Sequence, residues 1–159
     1  MSEEISLRVA SAGEGDMSAA ASLFRQYAAS LPVDLAAQGF ADEINHLPGP
    51  YASPEGALLL AFRGDTVLGC IALKRLTSGA AEIKRLYVVQ EGRGLGVGKI
   101  LIGAILKEAA RLNYREIKLD TLPHMIPAIA LYRRFGFVPI APYGSFPYPD
   151  LLRFGRHLA

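Results

Sequence analysis

Arg93, Gly94, Gly96, Gly98 and Lys99 cluster where an apolar stretch ending at Val89 meets a long amphipathic one. Glycines at alternate positions let the backbone turn tightly and leave its amide N–H groups uncovered by side chains. Amides bared at the start of a helix carry partial positive charge and form a site suited to a phosphate or pyrophosphate. Residues Arg93, Gly94, Leu95, Gly96, Val97, Gly98 and Lys99 are therefore the candidate anion-binding loop.

Spacing decides which phosphate motif this is. The P-loop requires Gly-x-x-x-x-Gly-Lys-Ser/Thr. Here Arg93 stands where the first glycine belongs, and Ile100 stands where the magnesium-binding hydroxyl belongs. The dinucleotide pattern Gly-x-Gly-x-x-Gly breaks at Lys99. Asp120 ends a later strand where a ribose-binding acid could sit, which keeps a nucleotide-dependent oxidoreductase as a third reading.

The loop instead fits Arg/Gln-x-x-Gly-x-Gly/Ala, as Arg93-Gly-Leu-Gly96-Val-Gly98. Glu82 precedes it at the head of a strand, and Ala128-Ile-Ala-Leu131-Tyr132-Arg-Arg-Phe-Gly136-Phe137 follows it. In this order the three elements make the chain resemble the GCN5-related N-acetyltransferase (GNAT) superfamily. The resemblance spans nearly the whole chain and is closest over residues 57–140.

The resemblance implies an acetyl-CoA-dependent N-acetyltransferase: acetyl-CoA as co-substrate, no metal, and a primary amine on a small molecule or peptide as acceptor. It assigns the pyrophosphate to the amides of 93–99 and the pantetheine arm to Leu86, Tyr87 and Val88. The N–H of Val88 or its neighbour would polarise the thioester oxygen. Tyr132 would donate to the departing thiolate, its phenol having an ordinary pKa of about 10. Glu82 occupies the position of the general base in some members, and an amine of pKa about 10.4 is almost wholly protonated at neutral pH, so a base helps. Many members carry asparagine where this chain has Met125, and Asp120 or Thr121 would remake that contact.

These groups need a scaffold. Apolar and polar residues alternate over 5–9, as in a half-buried strand. A helix runs from Met17, capped by Asp16, to the stop at Pro32. A second starts at Asp34 and reaches Leu47. Residues 57–63, 66–75 and 81–89 read as an antiparallel meander, the first turn at Gly64-Asp65. A helix over 96–112 buries Ile100, Leu101, Ala104, Ile105 and Leu112 and leads to a strand at 116–120. Another helix opens at Pro127 and ends at Gly136, before strands at 137–140 and 151–157. This is an α+β mixed sheet flanked by helices, also the order of the GNAT fold, whose 81–89 and 116–120 strands begin paired and then splay.

Composition bounds the rest. At 159 residues, with 51% hydrophobic and 20% charged, the chain is expected to be a single domain, residues 1–159. No apolar run is long enough for a membrane span, and the acidic start lacks a signal-peptide pattern. One cysteine, Cys70, suits a reducing compartment, so the expected location is cytoplasmic. A net charge of +2 with scattered bases gives no nucleic-acid footprint. Lys84, Arg85, Arg93 and Lys99 read as positive charge gathered near the loop. His124 is a minor candidate for proton transfer, while His46 and His157 lack partners at metal-ligand spacing. Tyr27, Tyr143, Phe146 and Tyr148 either wall the acceptor pocket or serve as core or dimer contacts. Dimers are common among proteins of this type, so a second copy of the chain is a candidate partner. The rival to an enzyme is a non-catalytic acyl-CoA-binding sensor or interaction module.

Overall fold

A computed structural model describes residues 7–32, 34–35, 39–144 and 150–158. Among them seven strands form one mixed sheet: β1 (Leu7–Ser11), β2 (Ala57–Arg63), β3 (Thr66–Thr77), β4 (Ala80–Val88), β5 (Glu116–Thr121), β6 (Val138–Pro139) and β7 (Leu152–His157). Their order in the sheet is β1-β2-β3-β4-β5-β7-β6. Four helices accompany them: α1 (Met17–Ala29), α2 (Phe40–Asn45), α3 (Val97–Arg111) and α4 (Ile126–Arg134).

The sheet is covered on both faces, which explains why β2 reads as unbroken apolar sequence rather than alternation. Leu59 and Ala61 pack with Ile71, Leu73, Ile83 and the buried side of α3. Leu58, Leu60 and Phe62 face the other way, onto Ala20, Leu23 and Phe24 of α1. In α3 the buried positions are Val97, Leu101, Ile102, Ile105, Leu106 and Ala109. Ile100, expected inside, is 38% exposed. The consecutive apolar residues 100–102 leave the helical phase ambiguous, and Val97 with Leu101 sets it.

Local signals shift two other boundaries. Asp34 does not start α2, which is a six-residue helix entered from Gly39 in the left-handed region (φ 72°). Asp16 sits at the start of α1, but its carboxylate takes the Gly13 N–H at 2.9 Å instead of capping the helix.

Three rungs join β4 to β5 in parallel: Ala80 with Glu116, Ala81 with Ile117, and Glu82 with Lys118. β4 then continues to Val88 and β5 to Thr121 without pairing to each other. The divergence has a local cause. Between its pairings with Ala72 and Cys70, β4 carries an extra residue, so Lys84 pairs with Ala72 and Tyr87 with Cys70. Arg85, inside this bulge, has φ 62°. A bulge bends and twists its strand, which carries β4 away from its parallel neighbour. No helix among the described residues is long and apolar enough to cross a membrane.

Candidate active site

The loop after β4 enters α3 through Gly96, whose φ of 80° favours glycine. The first intrahelical bond runs from the Ile100 N–H to the Gly96 carbonyl at 3.1 Å. The amides of 97–99 in the opening turn thus have no acceptor within the helix. Two others are committed to turns: Arg93 N–H to Gln90 (3.2 Å) and Leu95 N–H to Gly92 (3.4 Å). Space at Gly98 is tight, since a Cβ there would come within 3.1 Å of a Leu131 methyl on α4, which would have to give by a few tenths of an ångström.

These amides open onto a groove of about 560 Å³. Leu86, Tyr87 and Val88 line it from β4, and Arg93, Gly94, Gly96, Val97, Gly98 and Lys99 from the loop and α3. Met125, Pro127, Ala128, Leu131 and Arg134 close the α4 side. Leu95 is 42% exposed and does not face the groove. One end is therefore cationic and rich in bare amides, while the middle is apolar.

The β4 wall carries an outward main-chain donor. Val88 lies opposite Gly69, and the neighbouring bond runs from the Val89 N–H to the Leu68 carbonyl at 2.9 Å. That makes Val88–Gly69 a non-hydrogen-bonded pair, so the N–H and carbonyl of Val88 point away from β3, toward the splayed side. The carbonyl receives Arg93 Nε at 3.4 Å.

Leu86 and Met125 also border a second, smaller pocket, with Tyr27, Lys84, Arg85, Asp120, Thr121 and Tyr132 around it. It lies in the gap between the parted strands, where extending the register would set Lys84 opposite Asp120. Tyr132 belongs to the α3-side core, its ring edge-on to Phe137 at 5.9 Å. It is 5% exposed, and burial, followed by the nearby Tyr27 and Asp120, pushes its phenol well above the ordinary range. The phenol therefore keeps its proton and acts as a hydrogen-bond donor, a weaker acid than an unperturbed tyrosine. The Thr121 hydroxyl donates to Met125 Sδ at 3.5 Å, so it is turned to the side chain standing in the asparagine position.

Glu82 borders neither cavity. It is 2% exposed, at the last paired rung of the fork. The Tyr143 hydroxyl donates to its Oε2 at 2.6 Å, and Lys74 and Lys84 approach its Oε1 at 3.7 and 3.6 Å. Lys84 and Arg85 are buried as well and do not line the groove beside the glycine loop. Arg85 donates two bonds to Glu43, at 2.8 and 2.9 Å, and Tyr51 adds a third to the same carboxylate at 3.0 Å. Nothing in the sequence pattern linked Glu43 to Arg85, because their contact depends on the bulge. His124 is exposed and lines neither cavity, and Phe146 and Tyr148 lie outside the described residues.

Residues 21–137 match the family model described as "Acetyltransferase (GNAT) family". An uncharacterised N-acetyltransferase of Schizosaccharomyces pombe is 36% identical over 132 residues, covering 82% of this chain and 81% of its own. The fold is similar to a GNAT-family acetyltransferase from Staphylococcus aureus (TM-score 0.80, 21% identity, 97% of this chain and 100% of that one). It is also similar to the PaiA N-acetyltransferase of Thermoplasma acidophilum in complex with coenzyme A (TM-score 0.76, 18% identity, 96% and 99% covered). With its forked sheet and glycine-lined groove, this chain belongs to the acetyltransferase (GNAT) family and is an acyltransferase.

Proposed function

We propose that this chain is a single catalytic domain that transfers acetyl from acetyl-CoA to a primary amine by direct attack in a ternary complex. The observation that carries this reading is the adjacency of the two cavities, which share Leu86 and Met125 in their linings. A groove with bare amides at one end and an apolar middle meets, through Leu86 and Met125, a pocket holding a buried phenol. That sequence of surfaces suits a pyrophosphate and then a pantetheine arm lying in the groove, with its sulfur end brought beside the small pocket of about 20 Å³ that the phenol borders.

Each residue has a role on this reading. The amides of Gly94, Gly96, Val97, Gly98 and Lys99 hold the pyrophosphate, with Arg93 and Lys99 adding charge. Leu86, Tyr87, Val88, Ala128 and Leu131 flank the pantetheine, which lies along the unpaired edge of β4 as an added strand would. The Val88 N–H donates to the thioester oxygen, where negative charge develops. The Tyr132 hydroxyl donates to the sulfur as its bond to carbon breaks. Bound acetyl-CoA supplies the acetyl group, already activated as a thioester.

Direct attack is favoured over a cysteine intermediate. Cys70 is fully buried, and its Sγ donates to the Arg85 carbonyl at 3.2 Å. Burial foremost pushes its thiol up to about 12, far from a thiolate at neutral pH.

The test is release of free thiol from acetyl-CoA over a panel of primary amines, with coenzyme A binding measured by calorimetry. Amine-dependent release supports the reading. Binding without release with any amine would leave a coenzyme A-binding module, and absence of binding would remove the cofactor assignment.

A further inference from the structure

Asp120 is the one carboxylate among the residues that border the inner pocket. Burial and side-chain pattern in β5 alternate: Ile117, Leu119 and Thr121 point to the α3-side core, and Glu116, Lys118 and Asp120 point to the other face. Tyr132 approaches the gap from the α3 side. Tyr132 and Asp120 thus reach one pocket from opposite faces of the sheet, and Tyr27 of α1 stands on Asp120's side. Acyl transfer needs one group to take a proton from the attacking nitrogen and a different group to give one to the departing sulfur, and two groups reaching the pocket from different sides can divide that work. Glu82 is on Asp120's face too, but below the fork and held by Tyr143.

We infer that Asp120 receives the acceptor amine and takes its proton, a role that rests on the acetyl-transfer reading above. The ammonium gives one proton to the Asp120 carboxylate, which passes it to water. The neutral nitrogen bonds to the acetyl carbon, and the carbon–sulfur bond breaks. The second proton lost by nitrogen is matched by the one gained at sulfur, so amide and free thiol leave together with one released proton.

The charges around Asp120 are mixed. Lys84, Glu82 and Arg85 face it from β4, and Arg153 faces it from β7. Tyr27 of α1, Tyr132 of α4 and Tyr143 of the loop after β6 also feel its charge. Burial outweighs the neighbouring cations, and the carboxyl is raised above the usual carboxylate range, toward the pH at which a base works best.

The test compares wild type, D120N, D120E and E82Q at saturating acetyl-CoA. Two probes are used: an aliphatic amine turned over by wild type, and the O-alkylhydroxylamine of the same skeleton, already neutral at pH 7. Asp120→Asn is expected to lose on the order of 10²–10⁴-fold on the aliphatic amine, the usual worth of a general base. It should lose far less on the hydroxylamine, bind coenzyme A as wild type does, and lose the acid limb of the pH profile. Asp120→Glu should recover part of the difference between the two probes. Equal losses on both probes, an unchanged pH profile, or this signature in E82Q instead would overturn the role of Asp120 alone. A wild type inert to every amine would overturn the acetyl-transfer reading and this role with it.

Discussion

The Arg85 guanidinium grips the Glu43 carboxylate through Nε and Nη2 at 2.8 and 2.9 Å, while its own backbone sits in the left-handed region at φ 62°. A non-glycine residue held there costs about 1–3 kcal/mol and persists only when its surroundings demand it. The ion pair supplies that demand and ties the segment carrying α2 to the bulge that opens the sheet. The Arg85 carbonyl is held in turn by the Cys70 thiol.

Glu43→Gln should therefore destabilise the fold by up to about 3–5 kcal/mol, the range for stranding a buried charge, since Arg85 is the buried member of this partly buried pair. A Glu43→Leu, Arg85→Met double variant should recover much of that in denaturant unfolding. It should still bind coenzyme A more weakly, because the bulge no longer has its anchor. A double variant as unstable as the single one would show that the pair is not what costs energy when broken.

Tyr132→Phe removes a hydroxyl and little volume from a residue packed edge-on to Phe137. Turnover should fall at least about tenfold, equivalent to about 1.4 kcal/mol of transition-state stabilisation. Coenzyme A affinity in calorimetry should change little. Since burial keeps the phenol protonated, raising the pH through the alkaline range open to assay should not titrate it away. Unchanged turnover in the variant would take Tyr132 out of the reaction.

Gly96→Glu combines a side chain at φ 80° with a negative charge at the opening of α3. It should abolish coenzyme A binding while circular dichroism still reports a folded chain. Gly98→Ala is the milder probe, because its Cβ would meet only the end of the Leu131 side chain, 3.1 Å away. It should weaken binding without abolishing it. Micromolar binding retained by Gly96→Glu would contradict the phosphate assignment.

Much of this architecture was legible in the chain before any coordinates. Glycines at 94, 96 and 98 marked a helix entry with bare amides, and Gly64-Asp65 marked the turn between β2 and β3. What escaped was set by non-local contacts. Lys84 and Arg85 read as positive charge gathered near the loop, because sequence cannot reveal that Glu82 and Glu43 are brought to them in the interior. The bulge at Arg85 carries no glycine to announce it. Asp120 ended a strand and suggested a ribose contact, and only the parting of β4 from β5 turns it toward a pocket. The helix phase around 100–102 needed Val97 and Leu101 packed before it could be read.

Cys70 offers a chemical clock. Its thiol is fully buried and pushed up to about 12, so thiol reagents should leave the native protein unmodified near neutral pH. One equivalent should react on unfolding, the chain having a single cysteine. Thiol-release assays for coenzyme A would then carry no background from the enzyme. Fast labelling of the native state would mean that β3 opens at Cys70 far more easily than its packing implies.

Asp120 also has a stability signature distinct from its chemistry. Its folded pKa lies above the unfolded value of about 3.9, with burial the largest cause. A carboxyl so raised is protonated more readily in the folded state. Its contribution to stability is full below the unfolded pKa and is lost as pH rises through the folded pKa. At neutral pH the ionised group is a net burden on the fold. Asp120→Asn, neutral at every pH, should raise the melting temperature at pH 7–8, and the gain should shrink as pH falls through the raised pKa. A variant slower on aliphatic amines yet more stable at neutral pH is what a half-buried charged group kept for function produces. A melting temperature lowered equally at all pH values would instead mark Asp120 as a structural partner of its neighbours.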